Sequence, residues 1–229
     1  VVQKLLNTVK TVNDFNDLSS IHKIINSEDL NDIRMKAFRE INSLDNWENE
    51  YYSLSALILK DLLGPDIAIQ SKLNLSIQMP SDKSSLLDLH TDCLSGQSVF
   101  EIVAWLPLTK AYSTNSMYVF PLDISRRMLK EMSNHELEGM KFLFEKYQGH
   151  AQFVELDVGE ILLFSSTLFH GNIVNSTEDT RVSVNCRFKN IFSHESSTGE
   201  RRLGSFYRVL KLSPLTTIGL SYRDDLVDF

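Results

Sequence analysis

The spacing of hydrophobic residues divides the chain into a helical part and a part rich in strands. Up to about residue 65, hydrophobic residues recur every three or four positions, which predicts amphipathic helices. One helix is predicted after the capping residue Ser27, and a second runs from about Glu50 to Leu62. Gly64-Pro65 then ends the helical part, because glycine permits a left-handed turn and proline cannot continue a helix.

From Leu73 onward the repeat changes to two residues, which is the period of a β-strand. A helical pattern between about 122 and 150 interrupts the strands, and it is compatible with either core packing or a lid over a site. Residues 206–210 are compatible with a strand or a helix. Strands are predicted at 73–79, 100–106, 116–120, 152–156, 160–164 and 181–188.

These patterns predict a single domain, mainly β with added helices. Its parts are a helical region at 1–65, a β core at 66–190 that contains the insertion at about 122–150, and a C-terminal extension at 191–229. The length of 229 residues suits one such domain.

Two predicted strands carry polar side chains along one whole face. Such faces suit either a barrel interior that holds a ligand or an exposed surface on which arginines pair with acidic residues. A small dicarboxylate would satisfy the second face, because a guanidinium grips a carboxylate with two hydrogen bonds and a neighbouring hydroxyl adds a third. The two faces consist of Asn74, Ser76 and Gln78, and of Arg181, Ser183, Asn185 and Arg187.

The segment Leu89–Asp92 carries the candidate chemistry. On an extended strand or at a strand end, His90 and Asp92 point the same way and face one point in space. They supply two thirds of a 2-His-1-carboxylate face, which holds non-haem Fe(II) and leaves positions open for substrates. His170, which follows the apolar run 161–164, is the best candidate for the third ligand. The alternative is a hydrogen-bonded His–Asp pair without a metal.

Composition narrows the classes of partner. The net charge is −7 without a block of lysine or arginine, which argues against nucleic acid or an anionic membrane surface. No stretch approaches the roughly 20 apolar residues of a membrane span, and the first residues are too mixed for a signal peptide. Cys93 and Cys186 fit free thiols in a reducing cytoplasm. We therefore expect a cytoplasmic protein with a small-molecule substrate, and a homodimer is compatible with the sequence.

The order of these motifs resembles that of the Fe(II)/2-oxoglutarate-dependent dioxygenases, in particular the phytanoyl-type branch. The resemblance covers residues 64–190, and the 11 residues from His170 to Arg181 (181 − 170) match the family's distance between the second histidine and the cofactor arginine. The segment His90–Cys93, followed by Ser95–Ser98, is most similar to small oxygenases of bacterial carbohydrate or aminoglycoside biosynthesis clusters. The motifs that carry the resemblance are His90-Thr91-Asp92, Ala104-Trp105, Gly159–Phe164, His170-Gly171-Asn172 and Arg181-Val182-Ser183.

The resemblance implies a fold and a cofactor set. The fold is a double-stranded β-helix, a jelly-roll or cupin-like barrel, with the N-terminal helices packed on one sheet. Fe(II) is held by His90, Asp92 and His170, and O2 and 2-oxoglutarate are the cosubstrates.

The same resemblance implies a binding site for 2-oxoglutarate. The cosubstrate chelates the iron and places its far carboxylate on Arg181 and Ser183. Trp105, Asn172 and Gln78 match positions that line the cosubstrate site in this branch.

The implied activity is hydroxylation of a small polar metabolite, such as a sugar or sugar conjugate, with release of succinate and CO2. Related halogenases lack the carboxylate ligand, so the presence of Asp92 favours hydroxylation over halogenation. Two alternatives stay open. One is a cupin-like metal oxygenase without 2-oxoglutarate, although such sites usually carry three histidines. The other is a non-catalytic binding module on the same barrel.

Overall fold

The described residues of the chain form four α-helices, then two sheets interrupted by a helical insertion, then a final helix. The computed structural model describes residues 1–134, 139–194 and 201–227. The helices are α1 (Val2–Thr11), α2 (Leu30–Asn42), α3 (Trp47–Ser53), α4 (Ala56–Leu63), α5 (Leu122–Asn134), α6 (Gly139–Tyr147) and α7 (Pro214–Val227). The strands are β1 (Ile67–Gln70), β2 (Asn74–Gln78), β3 (Glu101–Pro107), β4 (Tyr118–Val119), β5 (Gln152–Phe153), β6 (Leu162–Ser165), β7 (His170–Gly171), β8 (Arg181–Asn190) and β9 (Tyr207–Lys211).

The long strand β8 is the centre of the larger sheet. Within the described residues that sheet has the order β6-β3-β8-β1-β9, and β2 pairs with the first half of β8. The smaller sheet has the order β5-β4-β7. All strand pairings are antiparallel. Two antiparallel sheets with helices packed against them give a jelly-roll-like fold, which confirms the predicted fold class.

The N-terminal helices cover the apolar face of the larger sheet, as predicted. Along β8 the alternate residues Val182, Val184, Cys186 and Phe188 are fully buried, and they share one hydrophobic core with α1, α2 and α3. The Tyr51 ring stacks on that of Phe188 with centroids 6.4 Å apart. The Tyr51 hydroxyl also donates to the Ala104 carbonyl at 3.0 Å, so α3 is bonded to the middle of the sheet.

The helical insertion packs on the smaller sheet. Met128 and Leu143 are buried in a second hydrophobic cluster together with Tyr118 and Phe120. The methionine-rich face of the insertion is therefore core. No described residue of the insertion lines the cleft that contains the candidate site, so these contacts favour packing over a lid.

The helices differ from the prediction in two places. The single helix expected from Glu50 to Leu62 is divided, because Ser55 leaves helical geometry with φ −143° and ψ 24° and separates α3 from α4. The sequence pattern did not show this break, because Leu57 and Ile58 continue the hydrophobic spacing. In the structure these two side chains are 80% and 55% exposed. The sequence pattern did not predict α7, whose described residues include none that is buried. Residues 207–211 form strand β9, one of the two structures that the pattern allowed.

None of the helices in the described parts of the chain is long and apolar enough to cross a membrane.

We expect the core under β8 to dominate stability. Phe188→Ala removes a fully buried ring between α3 and the sheet, so it should lower the free energy of unfolding by about 3–5 kcal/mol. Phe192→Ala is the matched control, because Phe192 is 66% exposed and its loss should cost no more than about 0.5 kcal/mol. Urea unfolding measures both, and equal losses would contradict the placement of the core.

Candidate metal centre and its cleft

Three side chains bring their donor atoms together at the edge of the smaller sheet. One donor atom from each of His90, Asp92 and His170 lies within 4.8 Å of the others. The two imidazole centroids are 4.2 Å apart, and His90 Nε2 is 4.0 Å from Asp92 Oδ1. The backbones of the two histidines exchange hydrogen bonds of 3.0 and 2.9 Å, which brings residues 80 positions apart (170 − 90) side by side. The structure thus groups the three predicted ligands, and their role as ligands stays a prediction.

Each histidine is held with the same ring nitrogen facing the site. His90 Nδ1 lies 2.7 Å from the Asp88 carbonyl oxygen, and His170 Nδ1 lies 2.9 Å from that of Leu168. A carbonyl can only accept, so Nδ1 carries a proton in both rings, and Nε2 is the nitrogen that bears the lone pair when the ring is neutral. Metal-binding histidines are oriented in this way by hydrogen bonds from the nitrogen that does not bind the metal.

The backbone at Asp92 differs from the prediction. Strand alternation does not direct this side chain, because Asp92 has helical angles of φ −62° and ψ −35° and precedes the short 3-10 helix Cys93–Ser95. The strand-like segment ends at His90, and the turn that follows brings the carboxylate back towards the imidazoles. The expected position at a strand end is therefore right, but the geometric reason is a turn.

Arg187 binds both oxygens of the Asp92 carboxylate. Its Nε donates to Oδ2 at 3.0 Å and its Nη2 donates to Oδ1 at 2.7 Å. Burial is the largest influence and opposes the charge on Asp92, but attraction and hydrogen bonding by Arg187, together with the two histidines, lower the pKa of the carboxyl group below its usual value. The carboxylate is therefore ionised and fixed. The sequence suggested that Arg187 lies either on a ligand-binding face or in an ion pair. In the structure it both lines the cleft and forms an ion pair with Asp92.

Burial also keeps His170 neutral. Loss of hydration and repulsion by His90 lower the pKa of His170 to about 4. An imidazole must be neutral to bind a metal, so this histidine is ready to bind at neutral pH.

Arg181 is a buried cation at the other end of the same cleft. Its Nε donates to the Asn115 carbonyl at 2.9 Å, its Nη1 to Ser183 Oγ at 2.5 Å and its Nη2 to Gln78 Oε1 at 2.8 Å. All three acceptors are neutral, and none of the carboxylates in the described parts of the chain bonds to this guanidinium. The guanidinium also lies over the Trp105 ring, 5.9 Å from its centroid.

The polar faces of β2 and β8 lie side by side in the cleft. Antiparallel pairing places Asn74 opposite Asn185, Ser76 opposite Ser183, and Gln78 opposite Arg181. Arg181, Asn185, Arg187 and Ser76 line the cleft, while Ser183 and Gln78 bond to Arg181 from beneath. Of the two interpretations that the sequence left open, the ligand-holding interior fits these contacts.

Asn172 connects the cleft to the segment that carries the first histidine. Its Nδ2 donates to Gln78 Oε1 at 3.3 Å and to the Ser85 carbonyl at 3.1 Å, and its Oδ1 accepts from the Leu87 amide at 2.6 Å. Asn172 and Trp105 both line the cleft. The eight residues predicted for the site therefore lie in or directly beneath one cleft.

The remaining wall of the cleft is apolar and was not predicted. It consists of Leu87, Val103, Met117 and Phe164, whose types carry no chemical signal in a sequence. The cleft encloses about 520 Å³ of space not filled by protein atoms, including its open mouth.

Comparisons with known proteins support the fold. No protein-family model matches the chain. The streptomycin biosynthesis protein StrG of Streptomyces griseus is 27% identical over 99 residues, which are 43% of this chain and 35% of that protein. The match thus spans about a third of the length of the curated relative.

Two solved structures illustrate the similarity of the fold. The nickel complex of the non-haem monooxygenase ThoJ has a TM-score of 0.57 at 17% identity, and the alignment covers 94% of this chain and 77% of ThoJ. SnoK, a non-haem α-ketoglutarate-dependent carbocyclase from nogalamycin biosynthesis, has a TM-score of 0.55 at 12% identity, with 76% and 74% covered. This fold therefore occurs in non-haem oxygenases and α-ketoglutarate-dependent enzymes. The narrower assignment to the phytanoyl-type branch stays a prediction.

We expect the metal-free protein to lose stability as the pH falls from about 6.5 to about 4. The pKa of His170 is about 4 in the folded protein against an ordinary value of 6.5, so the unfolded chain binds more protons in this window. The loss should be on the order of 3 kcal/mol. Urea unfolding of wild type and His170→Gln across this range tests the assignment, because the variant lacks the titrating group. Parallel pH profiles for the two proteins would contradict it.

Proposed function

We propose that this protein is an Fe(II)- and 2-oxoglutarate-dependent oxygenase that hydroxylates a small polar metabolite and releases succinate and CO2. One observation carries the proposal. A triad of two histidines and an ionised carboxylate shares a single cleft with Arg181, a buried cation whose bonds to the described residues all go to neutral acceptors. The triad suits a metal, and the cation suits an anionic cosubstrate that reaches the metal.

The donor set fits Fe(II). Two imidazole nitrogens and one carboxylate on one side of a metal are the ligands of non-haem Fe(II) oxygenases. Bound iron would supply the redox chemistry that O2 requires. The chain itself holds His90 and His170 in the tautomer that binds metal and keeps Asp92 ionised. The non-haem enzymes ThoJ and SnoK, which share the fold, support this choice.

Arg181 fits the far carboxylate of 2-oxoglutarate. A guanidinium has five N–H groups, and three of those of Arg181 are used by Asn115, Ser183 and Gln78. One N–H on each terminal nitrogen is left for a carboxylate, and the Ser183 hydroxyl lies beside them. An anion here would neutralise a buried charge, which strongly favours its binding. Trp105, Asn172 and Gln78 would enclose the cosubstrate.

The two alternatives have less support. A cupin-like oxygenase without 2-oxoglutarate would leave the buried charge of Arg181 unexplained. A binding module without catalysis would not need the three-donor group and the buried cation in one cleft.

A sugar or sugar conjugate suits the mixed walls of the cleft. Ser76 and Asn185 provide hydrogen-bonding groups on one wall, and Met117 and Phe164 provide an apolar surface on another. A sugar carries hydroxyl groups and C–H surfaces that match both. The sequence similarity to StrG, a streptomycin biosynthesis protein, supports the same class. In a broad screen we expect turnover of sugar-type compounds, and turnover only of amino acids or lipids would overturn this substrate class.

The first test is spectroscopic. Anaerobic addition of Fe(II) and then 2-oxoglutarate to the metal-free protein should give a weak charge-transfer band in the visible range. His170→Ala should remove the band, because it removes one of three protein ligands. Iron binding without the band would support the oxygenase that does not use 2-oxoglutarate, and binding of neither would support the non-catalytic module.

A second test concerns Arg181. Arg181→Ala removes a buried partner of the cosubstrate carboxylate, so 2-oxoglutarate binding should weaken by about 2–5 kcal/mol, which is roughly 30-fold or more. The matched control is Arg208→Ala. It removes a surface arginine that lies on the same sheet as Arg181 and pairs with Glu48 of α3. Titration of the charge-transfer band measures both affinities. Unchanged affinity in Arg181→Ala would refute the role of this residue.

A further inference from the structure

Arg187 does more than neutralise the charge of Asp92, because it also fixes the orientation of this proposed metal ligand. Its side chain is 13% exposed and that of Asp92 is 4% exposed, so this pair is shielded from water. Its Nε and Nη2 donate to different oxygens of Asp92, at 3.0 and 2.7 Å. This two-point contact fixes the rotation of the carboxylate as well as its position.

The two-point contact from Arg187, here called the fork, determines which lone pairs Asp92 can offer to a metal. A carboxylate has about four lone-pair sites, two on each oxygen. The parallel bonds from Arg187 occupy the convergent pair, which is the pair that a metal uses when it chelates both oxygens. The remaining two lone pairs diverge, so a single metal ion can reach only one of them. His90 Nε2 is 4.0 Å from Oδ1, which places this oxygen next to the imidazole donors.

Arg187 is itself held by an ordered chain of amides. Its Nη1 donates to Gln70 Oε1 at 3.2 Å, Gln70 Nε2 donates to Asn74 Oδ1 at 3.2 Å, and Asn74 Nδ2 donates to Asn185 Oδ1 at 3.0 Å. A guanidinium cannot accept, so the first contact fixes the direction of all three. This series of hydrogen bonds, which crosses β1, β2 and β8, therefore holds the guanidinium of Arg187 in place.

We propose that Arg187 is a positioning residue that restricts Asp92 to one-oxygen coordination of the metal and thereby keeps a coordination position open. This inference rests on the proposed function. A six-coordinate metal with three protein donor atoms has three open positions, enough for a chelating 2-oxoacid and for O2. If Asp92 bound through both oxygens, only two positions would be open, and the 2-oxoacid would fill them. The guanidinium thus acts on reactivity through Asp92.

The number of water molecules on bound Mn(II) tests this proposal, because Mn(II) prefers six oxygen and nitrogen donors and relaxes the protons of its waters. Wild type should hold three exchangeable waters on Mn(II) and one after 2-oxoglutarate is added. Arg187→Met frees both oxygens of Asp92, and we expect one water fewer in each state. Arg187→Lys retains the charge but lacks the fork, and it should show the same change, which keeps the test decisive if the methionine variant does not fold.

The controls separate this inference from the proposed function. Arg208→Met, the same substitution at a surface arginine on the same sheet, should leave the water numbers of wild type unchanged. Unchanged water numbers in both Arg187 variants, with or without weaker Mn(II) binding, would overturn the positioning role and leave only a structural one. If the His170→Ala variant binds Mn(II) as tightly as the wild-type protein does, the metal site itself is refuted.

Discussion

The alternation of side chains along β8 is the constraint on which the rest of the structure depends. One face of this strand fills the core with Val182, Val184, Cys186 and Phe188, and the other presents Arg181, Ser183, Asn185 and Arg187 to the cleft. A shift of one residue would exchange the two faces, bury two unpaired arginines in the core and remove both from the site. The N-terminal helices that cover the apolar face therefore also determine where the cleft chemistry lies, because the hydrophobic core selects the register of the strand.

The two arginines of β8 have different electrostatic environments, and this difference divides the cleft into two ends. Arg187 is neutralised by Asp92, whereas the partners of Arg181 are neutral groups. Burying a guanidinium without an anion is costly, so a protein that retains such a group gains most when an anionic ligand binds. A divalent metal at the triad would add positive charge at the opposite end. A molecule with a carboxylate at each end matches this distribution, and for this reason we propose 2-oxoglutarate rather than a monoanion.

The sequence predicted the elements that follow from periodicity, but it did not predict pairings between distant residues. The alternation at 181–188 was sufficient to predict β8. The His-x-Asp motif and the position of His170 after the apolar run 161–164 were sufficient to predict the three candidate ligands. The division between α3 and α4 was missed, because hydrophobic residues such as Leu57 lie on the exposed surface. The fork between Arg187 and Asp92 was also missed, since alternation shows which residues share a face and does not show which partner they meet. The turn at Asp92 likewise depends on contacts made after folding.

The helical insertion has a structural link to the candidate metal centre although it lies outside the cleft. Its core side chains pack against Tyr118 of β4, and β4 pairs with β7, which carries His170. Next to this histidine, a Cβ atom at Gly171 would lie 2.5 Å from the Tyr118 hydroxyl and 2.8 Å from the Leu87 carbonyl, so only glycine permits this approach. The insertion thus packs against the strand that pairs with the one carrying His170, and His170 is joined to His90 by two backbone hydrogen bonds. The position of the two imidazoles, whose centroids are 4.2 Å apart, therefore depends on packing that lies outside the cleft.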